Sequence, residues 1–152
     1  MRKKLRIYLD TSVIGGCFDD EFSAASLLLF RNFENNLYIP LISEITTGEL
    51  ENAPQKVKDK IIGLKNLGII SVNNEMEILA KKYISNGIVT MKYAGDALHI
   101  AVATIIKADV LVSWNFKHIV NLKKIYQFNT VNLKESYGLL EIRTPQEVVE
   151  NE

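Results

Sequence analysis

The chain has 152 residues, 47% apolar and 24% charged, a length and composition suited to one soluble globular domain with a real core. Its 18 basic and 18 acidic side chains cancel, so a polyanion would have to be met by a local patch or a bound cation. Cys17 is the single cysteine and His99 and His118 are the only histidines, which excludes a disulfide framework, a thiolate-rich metal site and a zinc centre built on histidine alone.

The basic start, Arg2, Lys3 and Lys4, reads as a solvated terminus. The apolar run behind it is broken by Arg6 and Asp10, which is too short for a signal peptide. No stretch approaches the roughly 18 apolar residues of a membrane span. The expectation is a reducing, cytoplasmic setting with no membrane partner. Ile7 to Leu9 is an apolar strand that runs straight into Asp10, followed at once by Thr11 and Ser12. A carboxylate at such an address either caps the next element or serves chemistry, because burying an unpartnered charge is costly.

Gly15 and Gly16 loosen the backbone, and Asp19–Glu21 supply an acidic first turn to a helix whose Phe22, Ala25, Leu29 and Phe33 recur at helical spacing to about Glu34. Leu37–Leu41 is a second strand, with Pro40 placing it at an edge or at its own end. Ser43 caps a helix through Asn52, Pro54 bounds the next, and Val57, Ile61 and Leu64 form its stripe. Ile69–Val72 is a third strand, and Asn74 with Glu77 opens a helix that closes at Gly87.

Ala94–Ala108 is apolar around nearly its whole circumference, so it is central. Val110–Ser113 is a fourth strand. Asn121–Phe128 is a short helix, Thr130–Asn132 a fifth strand, and Thr144-Pro145-Gln146-Glu147 opens a tail helix over about 145–151. Strands alternating with helices predict a three-layer α/β/α sandwich around a mostly parallel five-stranded sheet. One domain spans 1–152, with its core over about 6–133.

In a parallel sheet ligands sit outside the carboxyl ends of the strands. Asp10 and Asn115 lie at such ends, Asp96 in the first turn of the apolar helix, and Glu49 on the helix after the second strand. Asp96 has a plain alternative as an acid favoured by the helix dipole. Two acids converging on one layer would repel, and one would hold a proton, unless a hard cation such as magnesium or manganese sits between them. Glu49 shares a face with Ile45, so it is the inward-pointing acid among Glu44, Glu49 and Glu51.

The ordered motifs Ile-Tyr-Leu-Asp-Thr-Ser, Gly-Glu-Leu, Asp-Ala-Leu-His-Ile-Ala and Val-Ser-Trp-Asn-Phe resemble a PIN domain, in the style of the VapC-type toxins of toxin–antitoxin pairs. The resemblance covers Ile7 to about Leu133. It implies a metal-dependent ribonuclease with Mg2+ or Mn2+ held by Asp10, Asp96 and Glu49. Asn115 stands where many members carry a fourth acid, and Thr11 or Ser12 matches the hydroxyl that steadies the first. It also implies an RNA substrate, a small antitoxin partner and a homodimer. One metal is expected in the free protein, since three carboxylates and one divalent ion leave a single negative charge, and Asn115 adds none.

Trp114 reads either as a base-stacking residue or as an anchor of the strand–helix junction. Lys117, His118, Lys123 and Lys124 form the best basic cluster, either an RNA contact or a solvated face. His99 reads first as a satisfied core histidine. A haloacid-dehalogenase site would need a second aspartate where Ser12 stands, and a receiver domain a phosphoacceptor aspartate where Asn73-Asn74 follows Val72. The remaining alternative is a catalytically weak or inactive PIN-like module that binds RNA or protein.

Overall fold

The central strands are buried on both faces, and the layers follow from the alternating direction of their side chains. The computed structural model describes residues 3–150. Arg2 of the basic start and position 151 of the expected tail helix lie outside the described residues. Strand β1 (Arg6–Leu9) is central, flanked by β2 (Ile39–Ser43) and β4 (Val110–Val112), with β3 (Gly68–Ile70) and β5 (Ile142–Arg143) at the edges. The order is β3-β2-β1-β4-β5, and every pairing is parallel.

The register sets Tyr8 beside Leu41 and Leu111, with Ile142 beside Leu111. That row faces the helices α5 (Asn74–Ser85), α6 (Ala94–Ile105) and α7 (Leu122–Lys134). Ile7, Leu9, Ile42, Val110 and Val112 point the other way, onto α1 (Thr11–Gly16), α2 (Ser23–Glu34), α4 (Gln55–Ile62) and α8 (Pro145–Glu150). The period of two in a strand does this sorting. Each fully buried aliphatic side chain contributes roughly 1.5–3 kcal/mol. The short α3 (Glu44–Glu49) follows β2 directly. No helix among the described residues is long and apolar enough to cross a membrane.

Several boundaries differ from the sequence expectation. Thr130–Asn132 is not a strand; it lies within α7, which runs on to Lys134, and the fifth strand is Ile142–Arg143. Ile125, Phe128 and Val131 share one packed helical face, and Asn132 is fully buried in a polar contact with Tyr83 and Thr104. Tertiary packing overrides the β preference of Thr130 and Val131. The sheet therefore extends beyond position 133.

Pro40 sits inside β2, which is not an edge. Strand N–H groups alternate sides, and that of Ile39 bonds Leu5 on the β1 side. The nitrogen of Pro40 thus faces β3, whose pairing starts only at Gly68 opposite Leu41, so no ladder bond is lost. Gly15 and Gly16 belong to α1 rather than to a loose linker, and Asp19–Glu21 form a turn ahead of α2 instead of its first turn. Helix α3 ends at Glu49 instead of Asn52.

Candidate functional site

The residues singled out from the sequence come from one edge of the sheet. Asp10 follows β1, Ser43 ends β2 and opens α3, Ser113 to Asn115 follow β4, and Asp96 lies in the first turn of α6. Parallel strands bring their carboxyl ends to one side, so these residues gather without being neighbours in sequence.

Asp10 is 4% exposed. It occupies the N-cap position of α1, but its side chain makes no cap hydrogen bond. Its oxygens accept instead from Ser12 Oγ (2.6 Å, Oδ1) and Ser113 Oγ (2.6 Å, Oδ2). The two serines are tied to the β4 exit as well, because Ser12 Oγ accepts the Trp114 N–H at 2.9 Å and Ser113 Oγ the Asn115 N–H at 2.9 Å. Burial pushes the Asp10 carboxyl up, against the charge of His99 and the serine hydroxyls, and the charge of Asp96 pushes the same way as burial. Capping is therefore not what this carboxylate does.

Asp96 is half-buried, and burial raises its pKa too, against the charges of His99 and His118, with Glu49 adding repulsion. Its Oδ2 accepts from Asn115 Nδ2 at 3.3 Å, while Asn115 Oδ1 accepts the His118 N–H at 2.9 Å. The residue in the fourth acid position thus acts on Asp96 as a neutral donor. Its carbonyl is turned to the backbone.

Glu49 is half-exposed at the end of α3. Its Oε1 accepts from Thr11 Oγ1 at 3.0 Å and from His99 Nε2 at 2.6 Å. Burial pushes this carboxyl up, but the hydrogen bond and charge of His99, with the Thr11 hydroxyl, hold it below the usual range. The two hydroxyls that follow Asp10 therefore divide their work. Ser12 steadies Asp10, and Thr11 holds Glu49. His99 is 1% exposed, as a core histidine should be, yet it reaches the site.

Trp114 is 9% exposed. Its indole stacks on Phe22 at 4.4 Å between ring centroids and donates Nε1–H to Ser26 Oγ at 2.8 Å. This is the anchoring role rather than an open stacking surface. His118 lies against Tyr93, centroids 3.8 Å apart. Lys117 and Lys123 are exposed, whereas the Lys124 ammonium bonds the carbonyl of Ile88 and so leaves the basic cluster. Sequence reasoning passed over three residues. Ser113 was noted only as the end of a strand. Tyr8 falls within an apolar run, and its hydroxyl two residues before Asp10 is the signal that sets it apart. Phe116, 51% exposed beside Trp114, closes the Val-Ser-Trp-Asn-Phe motif with no role assigned to it by the sequence.

Among the described residues, no group of three or more His, Cys, Asp and Glu side chains is placed to hold a metal ion. The donor chemistry still suits a hard divalent ion, because burial raises two carboxylates and neighbouring acids add to the rise, Asp96 at Asp10 and Glu49 at Asp96. His99 and Thr11 both hold Glu49 through Oε1, which leaves Glu49 Oε2 to join Asp10 and Asp96, directly or through water. Water and phosphate would supply the other positions, as is usual for magnesium.

No family model matches the chain, and no curated protein does. Solved structures do match in fold. A toxin–antitoxin complex from Klebsiella pneumoniae superposes with a TM-score of 0.57 at 15% identity, over 78% of this chain and 93% of that one. VapC20 of Mycobacterium tuberculosis, a sarcin-ricin loop cleaving toxin, gives 0.57 at 14% identity, over 74% and 92%. VapBC2 from Rickettsia felis, bound to a promoter DNA fragment, gives 0.57 at 18% identity, over 90% and 97%. The fold is that of a PIN domain. Within that fold, the chain resembles the VapC toxins of toxin–antitoxin systems.

Proposed function

We propose that the chain is a metal-dependent endoribonuclease of the PIN/VapC type, the toxin of a type II toxin–antitoxin pair. The observation that carries this reading is the pairing of Asp10 and Asp96 at the carboxyl edge of the sheet. Both are raised by burial, the charge of Asp96 adds to the rise at Asp10, and that of Glu49 adds to the rise at Asp96. Such an arrangement is unfavourable in isolation and becomes favourable around a divalent cation. Likeness of fold to a sarcin-ricin loop cleaving toxin supports RNA as the substrate.

Asp10 and Asp96 would hold Mg2+ or Mn2+, with Glu49 joining directly or through water. Bound there, the ion would lower the pKa of a water and neutralise phosphate charge. Water attacks phosphorus in line, a new P–O bond forms, and the bond to the leaving ribose oxygen breaks as that oxygen takes up a proton. Glu49, kept ionised by His99 and Thr11, offers an acceptor oxygen to the attacking water. Ser12 and Ser113 hold Asp10 in place, and Asn115 holds Asp96. Lys117 and His118 flank the edge and would meet the RNA backbone, with Phe116 as the exposed aromatic. The protein would work in the cytoplasm, as a homodimer, held in check by a small antitoxin.

The second reading is a PIN-like module that binds RNA or protein without cleaving. The neutral Asn115 and the two serines that already occupy the Asp10 oxygens favour it. Cleavage of a structured RNA pool separates the two. We expect wild type to cleave only with Mg2+ or Mn2+ and Asp10→Asn to lose at least about two orders of magnitude in rate, the scale set by removing one strong electrostatic group. No cleavage by wild type, or equal cleavage by both, rejects the nuclease. For the toxin role, induced expression should arrest growth and Asp96→Asn should relieve the arrest.

A further inference from the structure

A chain of buried polar contacts runs behind the acids. Ser43 Oγ meets Tyr8 Oη at 2.8 Å, Tyr8 Oη meets His99 Nδ1 at 2.7 Å, and His99 Nε2 meets Glu49 Oε1 at 2.6 Å. A carboxylate can only accept, so Nε2 carries a proton, and in the neutral ring Nδ1 accepts from the Tyr8 hydroxyl. Tyr8 is fully buried and His99 1% exposed, so neither is placed to touch RNA. Their rings pack edge to face with centroids 5.6 Å apart.

The members of this chain are spread over the elements that carry the acids. Tyr8 stands two residues before Asp10 on β1, His99 three after Asp96 on α6, and Ser43 caps the helix that ends in Glu49. Both hydrogen bonds recorded for Glu49 land on Oε1.

We propose that Tyr8 and His99 are a positioning pair for Glu49, fixing its carboxylate through Oε1 so that Oε2 serves the cation and its water. The inference rests on the nuclease reading and adds two residues to it. Ligating carboxylates and their outer partners behave this way generally, and losing an outer partner weakens metal affinity or activity about 10-fold to 100-fold. A merely structural role would instead lower stability without regard to whether Glu49 is present.

Titration calorimetry with Mn2+ decides between them, with melting curves run alongside on each variant. We expect His99→Ala to weaken Mn2+ binding about 10-fold or more. His99→Gln, whose amide nitrogen can take the place of Nε2, should restore most of it. In a Glu49→Gln background, His99→Ala should cost nothing further. If His99→Ala does not fold, Tyr8→Phe replaces it, since it removes one hydroxyl and keeps the ring, and the same loss and the same dependence on Glu49 are expected. Unchanged affinity in the His99 and Tyr8 variants, or a loss that persists after Glu49→Gln, overturns the positioning pair and leaves the nuclease standing. A wild type that binds no Mn2+ overturns both.

Discussion

Asp10 is a buried carboxylate, and its cost has a measurable sign. Burial raises its carboxyl above the ordinary value of 3.8. The folded state therefore holds this proton to higher pH than the unfolded state does. The associated stability is complete below the unfolded pKa and is lost as pH rises through the raised folded one. Asp10→Asn stays neutral throughout. With a chelator present, its melting temperature at neutral pH should exceed that of wild type, by about 2–4 °C for each kcal/mol relieved. The gain should vanish toward the ordinary carboxylate range. Parallel pH curves for the two proteins would refute the assignment. Asn115 makes the complementary case. As Asn115→Asp it would place a carboxylate where an amide now donates to Asp96. The metal-free protein should melt lower than wild type, and calorimetry should detect a second Mn2+ where wild type binds one. An unchanged stoichiometry would remove Asn115 as the determinant of metal count.

At the scale of elements, one close packing lies beside the site and one polar contact ties three helices together. A Cβ at Gly16 of α1 would meet the Trp114 ring at 2.8 Å and Ser26 Oγ at 2.9 Å. Trp114 adjoins Asn115, so Gly16→Ala should displace the indole and cost about 1–3 kcal/mol by overpacking. A urea titration would read that loss, and a variant as stable as wild type would mean that the ring yields freely. On the opposite side of the sheet, Asn132 joins α7 to Tyr83 of α5 and Thr104 of α6. Asn132→Ala leaves those buried hydroxyls short of a partner and should cost about 1–3 kcal/mol, with helical circular dichroism unchanged. Loss of helix signal instead would mean that this contact makes α7 rather than merely anchoring it.

For the whole molecule, charge balance would set how the proposed RNA substrate is approached. With 18 acidic and 18 basic side chains, no general field steers a polyanion, and Lys124 is engaged with Ile88. Lys117 and Lys123 remain as exposed cations of the cluster. Each phosphate contact to single-stranded RNA contributes about −0.7 to the slope of log affinity against log salt. We expect a shallow slope of about −1 to −2 for metal-free binding, reduced by nearly one contact in Lys117→Ala. A steep slope, or one indifferent to Lys117, would place the RNA elsewhere.

Local patterning determined most of the architecture. The apolar run of β1, the helical spacing of α5 and the all-round apolar α6 are legible because each depends on residues near in sequence, and so is the address of Asp10 and Asn115 at strand ends. The tertiary structure decided whatever rests on contacts across the chain. Phe128 and Val131 take Thr130–Asn132 into a helix by packing on the sheet, and Pro40 stays inside β2 because its neighbour strand starts one residue later. Ser12, Thr11, Tyr8 and His99 found their separate partners in the same way. Composition cannot express such pairings, since a hydroxyl or an imidazole bonds whichever acceptor the fold carries to it. For Asp10 the sequence posed the choice between cap and site, and the absence of a cap bond beside two serine contacts from different segments removes the cap.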